Sequence, residues 1–382
     1  MIPFSFFLAS GRDLLRHFLS ITAIVSVLPI MAEPDLPGDP PAHKIGVRTV
    51  EGEGEFYVVS TGETFTPRGF NYIKLDWQTT PLEEQHRGHS TFMVGVYDPG
   101  RMEEHLRKLA GDGYNTLRCF LSTECRDYCL GDQEKGGLRD AYMQNVVDFL
   151  RLARKYDLYI IFTVDVVPQT GGYLETIYGT KPEEVDASSL PYLTEGGLEA
   201  SRRFWTDLVT HLVDAGAATD HILGYQLCNE LYFDSNYPPF TLESGMLTTV
   251  NGKTYDLSST AAKRDMLEEN LIFWFDQIRT SIREVDPTAL VTTGFFQPQE
   301  PNPTRVGDPR IIYTGRFLRE STADFVDLHA YPGVELTLDQ YMENYEVPDI
   351  SAKPLIMGEC GAPYSAFGSA GEAAHSFMNW HA

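Results

Sequence analysis

Seven short, nearly unbroken apolar runs punctuate this chain, and each gives way to a polar residue as it ends. They lie at residues 68–72 (RGFNY), 115–120 (NTLRCF), 158–166 (LYIIFTVDV), 222–227 (ILGYQL), 290–296 (LVTTGFF), 325–331 (FVDLHAY) and 354–358 (PLIMG). Runs of this length without alternation fit strands covered on both faces, as in a parallel sheet. Between them lie stretches with helical spacing. Asp98-Pro99 offers an N-cap followed by proline at the first helical position, and Met102, Leu106 and Leu109 then share a face. Phe204, Trp205, Leu208, Val209, Leu212 and Val213 make a second stripe, and Leu267, Leu271, Phe275, Ile278 and Ile282 a third.

Strand and helix in alternation define an α/β fold. Seven units in one row favour a (β/α)₈ TIM barrel over an open doubly wound sheet. No Gly-x-Gly-x-x-Gly follows an early strand and no Gly-x-Ser-x-Gly elbow occurs, which weakens the dinucleotide-binding and α/β-hydrolase alternatives. Only 23 residues follow Glu359, and 366–380 reads as a helix, so the barrel is expected to lack its eighth strand, the chain ending early. Such a barrel would leave free edges on its first and seventh strands.

The flanking segments are of another kind. Arg12 and Arg16 precede a predominantly apolar stretch of 14 residues, Phe18 to Met31, and Ala32 follows. The stretch is shorter than the roughly 18 residues of a membrane span and reads as a secretory signal peptide over residues 1–32. The Pro-rich residues 33–44 read as a linker, and 45–382 as the barrel domain, C-terminally incomplete. A secreted or extracytoplasmic protein is expected. Of five cysteines, Cys125 and Cys129 are close enough for a loop disulfide, which export permits. Before the barrel, residues 55–66 alternate around Thr61-Gly62 as a small hairpin, and Asn251-Gly252 marks another, read as lying over the cleft.

With 54 acidic against 30 basic residues, the net charge is −24. Nucleic acid and anionic membranes would be repelled, so neither is expected as a partner. A neutral ligand fits, and a monomer is expected.

In a barrel the active site lies at the C-terminal ends of the strands. The polar residues there are Asn71, Arg118, Asp165, Asn229 with Glu230, His329 with Tyr331, and Glu359. Glu230 and Glu359 sit between nonpolar flanks, where an ionised carboxylate needs partners. Two facing carboxylates, one protonated and one charged, are what glycosidic cleavage requires. Arg118 beside one of them would keep that one ionised.

The chain resembles glycoside hydrolase family 5, the cellulase-like family of the retaining (β/α)₈ glycosidase clan. The resemblance rests on TFTPRGFNY (64–72), GYNTLRCF (113–120), ILGYQLCNEL (222–231), DPTALVTTGFF (286–296), VDLHAYPG (326–333) and KPLIMGECGA (353–362), in that order. It implies Glu230 as acid/base, Glu359 as nucleophile, Asn229 on the sugar 2-hydroxyl, Arg118 and Tyr331 supporting the nucleophile, and His329 near the acid/base. It further implies a β-glucan or β-mannan type substrate cleaved with retention. Asp165 stands roughly where the family often has a His, and it and Asn71 join the candidate substrate-binding residues. Trp77, Tyr232, Phe233 and Tyr237 could stack on sugar or pack loops. No cofactor and no metal is expected. Two other readings remain: a divalent-metal sugar isomerase using Glu230, Asp165, His329 and Glu359, and a non-catalytic carbohydrate-binding or scaffold barrel.

Overall fold

The computed structural model describes residues 43–73, 89–124, 127–179, 181–296, 307–331, 337–347, 352–361 and 367–380. The expected signal segment, most of the linker, Trp77 and Cys125 lie outside the described residues.

All seven apolar runs form strands: β1 (Gly69–Tyr72), β2 (Thr116–Phe120), β3 (Tyr159–Thr163), β4 (Ile222–Gln226), β5 (Val291–Thr292), β6 (Val326–Ala330) and β7 (Leu355–Cys360). The first five make one parallel sheet in chain order, and β6 pairs in parallel with β7. Thr292 Oγ1 donates to Phe325 O at 2.7 Å and Asp324 N donates to Val291 O at 3.0 Å, so β6 follows directly on β5. Asn71 Nδ2 donates to Gly358 O at 3.0 Å, which brings β7 back to β1. The seven strands therefore follow a circuit in chain order, with isolated bonds rather than a ladder between β5 and β6 and between β7 and β1.

The helices cover this circuit with the stripes read from the sequence. In α1 (Pro99–Gly111) the Asp98 side chain accepts from Gly100 N and Arg101 N, and Met102 and Leu106 are buried. Leu109, on the same face, packs partly buried against the core. α2 (Asp140–Lys155) buries Val146, Phe149 and Leu150. α3 (Glu195–Asp214) buries Phe204, Trp205, Leu208, Val209 and Leu212. α4 (Thr260–Val285) buries Leu267, Leu271, Phe275, Ile278 and Ile282. The expected last helix spans Ala370–Trp380.

The hairpin read at 55–66 is the second half of a three-stranded antiparallel sheet, Ile45–Val50, Glu53–Val58 and Thr64–Phe65. Ile45 and Phe56 pack with Tyr159, Ile161, Leu223, Leu290 and Phe325, residues at or near the strand starts. Each such buried side chain contributes roughly 1.5–3 kcal/mol. This sheet thus forms the floor of the barrel, opposite the strand ends that carry the polar residues. The fold also takes in His43, buried against Asp286 at 2.7 Å, two residues before the boundary read from the sequence.

Near β7 the ladder is irregular. Leu328 pairs with Met357 but His329 pairs with Glu359, so Gly358 is an extra residue. Its N–H donates to Asp327 Oδ1 at 2.8 Å, and a Cβ there would lie 2.2 Å from that oxygen. Glycine is what lets the bulge form and sets Glu359 opposite His329.

Candidate active site

Arg118, 3% exposed, organises the strand ends. From β2 its Nη1 donates to Asn71 Oδ1 of β1 and to Glu359 Oε1 of β7, both at 2.7 Å. Its Nη2 donates to Asn229 Oδ1 at 2.6 Å and Gln226 Oε1 at 2.5 Å, and Nε donates to the same Gln226 oxygen at 2.8 Å. The planar guanidinium fork is suited to such simultaneous contacts. Holding the Asn229 oxygen orients that amide so that Nδ2 is its donor.

Tyr331 Oη donates to Glu359 Oε2 at 2.7 Å, so both oxygens of this carboxylate accept hydrogen bonds. Burial alone would raise the Glu359 pKa. The charges of His329 and Arg118, with the bonds from Tyr331 and Arg118, outweigh it and bring it down to about 2. Glu359 is therefore a fixed anion at neutral pH.

Glu230 follows β4, where Asn229 N donates to Val164 O at 2.7 Å and Gly294 N to Cys228 O at 2.8 Å. Gly294 is required: a Cβ there would lie 2.0 Å from Asn229 O. His329, fully buried, stands between the two glutamates. Its Nδ1 lies 3.3 Å from Glu230 Oε1 and 3.9 Å from Glu359 Oε1. Burial opposes a charge on this ring, but the carboxylates of Glu359 and Asp327 prevail and its pKa rises to about 10. One carboxylate oxygen from each glutamate and a ring nitrogen of His329 all lie within 4.8 Å of one another.

Seven of the eight sequence-derived site residues, Asn71, Arg118, Asn229, Glu230, His329, Tyr331 and Glu359, thus form one hydrogen-bonded constellation. The bonds and ion pairs described for Asp165 lie apart from it. Its carboxylate lies 3.0 Å from His89 Nε2, and its carbonyl accepts from Cys228 Sγ. The His89 ring stacks on Phe120 at 4.0 Å, and Phe120 also meets the Arg118 guanidinium at 4.7 Å. The sequence reading missed His89, which comes from the β1–α1 loop and carries no strand-end signal. It also missed Gln226 and Asp327, polar residues inside apolar runs rather than at their ends. That interruption was the available signal.

Among the loop aromatics, Phe233 is buried between Tyr192 and Phe240 and packs its loop, whereas Tyr232 and Tyr237 are exposed. The Asn251-Gly252 hairpin exists, as Met246–Thr248 paired with Thr254–Asp256. Its bonds run to α4, from Tyr255 Oη to Glu269 and from Asn251 N to Asn270, and to Leu193 O from Val250 N. Cys129 is disulfide-bonded, while Cys119, Cys228 and Cys360 are free.

Glu230, His329 and Glu359 offer ligand atoms within 4.8 Å of one another, but Arg118, which donates to Glu359 Oε1 at 2.7 Å, already places a positive charge where a cation would sit.

A parallel β/α barrel with two carboxylates facing each other at its strand ends, one held as an anion by Arg, is a glycosidase scaffold. A family model described as Cellulase (glycosyl hydrolase family 5) matches residues 75–379, and the chain belongs to that family of retaining β-glycosidases with (β/α)₈ barrels. No curated protein matches by sequence. Among solved structures, the endo-1,4-β-mannanase from Rhizomucor miehei is similar at TM-score 0.59 and 16% identity, over 88% of this chain and 86% of that one. The exo-β-1,4-mannosidase Op5Man5 from Opitutaceae bacterium strain TAV5 is similar at TM-score 0.52 and 18% identity. That match covers 87% of this chain, which spans about half, 51%, of the mannosidase. The endo-β-1,4-mannanase from Thermotoga petrophila gives TM-score 0.51 at 14% identity, over 83% and 64% of the two chains. At these identities the likeness is one of fold.

Proposed function

We propose that this chain hydrolyses β-glycosidic bonds of a β-glucan or β-mannan with retention, Glu359 acting as nucleophile and Glu230 as acid/base. The observation that carries the reading is the proximity of the two carboxylates, each with an oxygen within 4.8 Å of the other's. Retaining enzymes set their carboxyl groups about 5–5.5 Å apart, whereas inverting ones leave about 6.5–9.5 Å for a water.

In the first step a Glu359 oxygen bonds to the anomeric carbon. The glycosidic C–O bond breaks, and the leaving oxygen takes the proton from Glu230. In the second step Glu230 takes a proton from water as the water oxygen attacks the same carbon, and the ester to Glu359 breaks. Arg118 and Tyr331 keep Glu359 charged and aimed. Asn229 Nδ2 donates to the sugar 2-hydroxyl, and Asn71 steadies Arg118. Asp165, with His89, serves the rim of the same cleft. Every group comes from one chain, so the reading needs no second subunit.

Export completes the proposal. It is supported by the basic-then-apolar pattern of residues 12–32 and by the Cys129 disulfide, which fits an oxidising compartment. N-terminal sequencing of protein recovered from the medium tests it; an intact Met1 would refute it.

The function is tested on glucan and mannan substrates by following the anomer of the first product by NMR. The β-anomer is expected, and an α-anomer product would overturn the mechanism. Glu359→Ala should abolish turnover, with azide restoring it as an α-glycosyl azide.

A further inference from the structure

One charged group at the centre of the barrel has no part in the chemistry above. Asp327 projects from β6 two residues before His329, and its side chain is wholly buried. Oδ1 accepts from Gly358 N at 2.8 Å. Oδ2 accepts from Gln226 Nε2 and lies 3.5 Å from His329 Nε2 and 3.8 Å from Arg118 Nε. Gln226, also wholly buried, spans the gap to Arg118, because its Oε1 accepts from both Nε and Nη2 of that residue.

A buried carboxylate persists only where charges and hydrogen bonds repay its desolvation. Here the compensating groups are the two cations that surround Glu359. The charges facing His329 are Glu230 from the loop after β4, Glu359 from β7, Arg118 from β2 and Asp327 from its own strand. Arg118 and His329 supply two positive charges, and Glu359 and Asp327 two negative ones. Asp327 thus faces, from below, the same two cations that Glu359 faces from the strand ends.

Resting on the glycosidase reading, we propose that Asp327, with Gln226 as its link, is a positioning residue that fixes Arg118 and His329 against the two catalytic glutamates. Its Oδ2 faces His329 Nε2 at 3.5 Å, on the side of the ring opposite Nδ1, which faces Glu230 and Glu359. Through Gln226 it sets the plane of the Arg118 fork. Gly358 belongs to the same device, since any side chain there would strike the Asp327 carboxylate.

The test compares Asp327→Asn with wild type on p-nitrophenyl β-cellobioside and β-mannobioside, alongside ¹⁵N NMR of His329 in both proteins. Expected is a fall in kcat of about 10- to 100-fold with KM within about twofold. The His329 titration, followed by the same ¹⁵N NMR, should move to lower pH, because loss of a neighbouring anion lets the ring release its proton earlier. Asp327→Asn with wild-type kcat would overturn the inference, as would a kcat loss with the His329 resonances and their titration unmoved. Should Asp327→Asn not fold, wild-type NMR decides alone: a protonated Nε2 at pH 7 supports the inference, and a bare Nε2 overturns it. Glu359→Ala separates the two levels. If it keeps turnover, the glycosidase reading fails; if it is inactive while Asp327→Asn behaves as wild type, only this inference fails.

Discussion

Arg118 Nη1 lies 2.7 Å from Glu359 Oε1, joining β2 to β7 across 241 residues of sequence. The same guanidinium holds Asn71, Gln226 and Asn229, so it ties together four strands' worth of polar side chains. Removing one partner of a buried ion pair costs about 3–5 kcal/mol, chiefly by stranding the other charge. Arg118→Ala should therefore lower unfolding free energy by roughly that amount, read from urea denaturation at pH 7. Arg118→Lys keeps a charge but cannot reproduce the fork, and should recover less than half of the loss.

The pH dependence of stability follows from two shifted groups. Glu359 falls from 4.5 to about 2, so its contribution is present above about pH 4.5 and is lost as pH drops toward 2. His329 rises from 6.5 to about 10, so its contribution is full below pH 6.5 and is lost as pH climbs through 10. Urea midpoints measured from pH 3 to 10 should form a plateau between these limits. Glu359→Gln should flatten the acid side, and an unchanged acid slope would contradict the assignment.

Glu230→Ala should separate the two chemical steps. A dinitrophenyl glycoside needs no protonation of its leaving group, so glycosylation stays fast while hydrolysis of the glycosyl-enzyme slows. Stopped-flow should show a burst of dinitrophenolate followed by a slow phase, and azide should speed that phase and give a β-glycosyl azide.

Tyr331→Phe removes one hydrogen bond to the Glu359 carboxylate and little volume. Hydrogen bonds to charged groups contribute about 1.5–3 kcal/mol to stability, so the thermal midpoint should fall by a few degrees, and kcat/KM should fall with it because the carboxylate loses one of its two fixed hydrogen bonds.

Gly294→Ala tests the backbone under the acid/base. The new methyl would lie 2.0 Å from Asn229 O and has to push the Asn229-Glu230 segment away. Activity should drop by at least about tenfold, since small displacements of a positioned catalytic group are costly, and Asn229 contacts with Arg118 should lengthen in a crystal structure of the variant.

Five of the seven strands, β2 to β6, were legible because they are buried on both faces and so wrote nearly unbroken apolar runs, while β1 and β7 are only partly covered. The residues that close those runs were legible because a barrel puts its chemistry at one end of every strand. Gln226 and Asp327 were harder to see, since they are polar but point into the barrel, where sequence pattern alone reads an interruption rather than a network. His89 was invisible for a different reason. Its position depends on the course of a loop, and its Phe120 stacking partner is just another apolar residue of β2. Ile45–Val50 escaped because its strand is half exposed and follows directly on a Pro-rich stretch.

The floor built by Ile45 and Phe56 covers Tyr159, Ile161, Leu223, Leu290 and Phe325. The N-terminal sheet thus acts as a plug, and without it the apolar base of the strands would lie open to water.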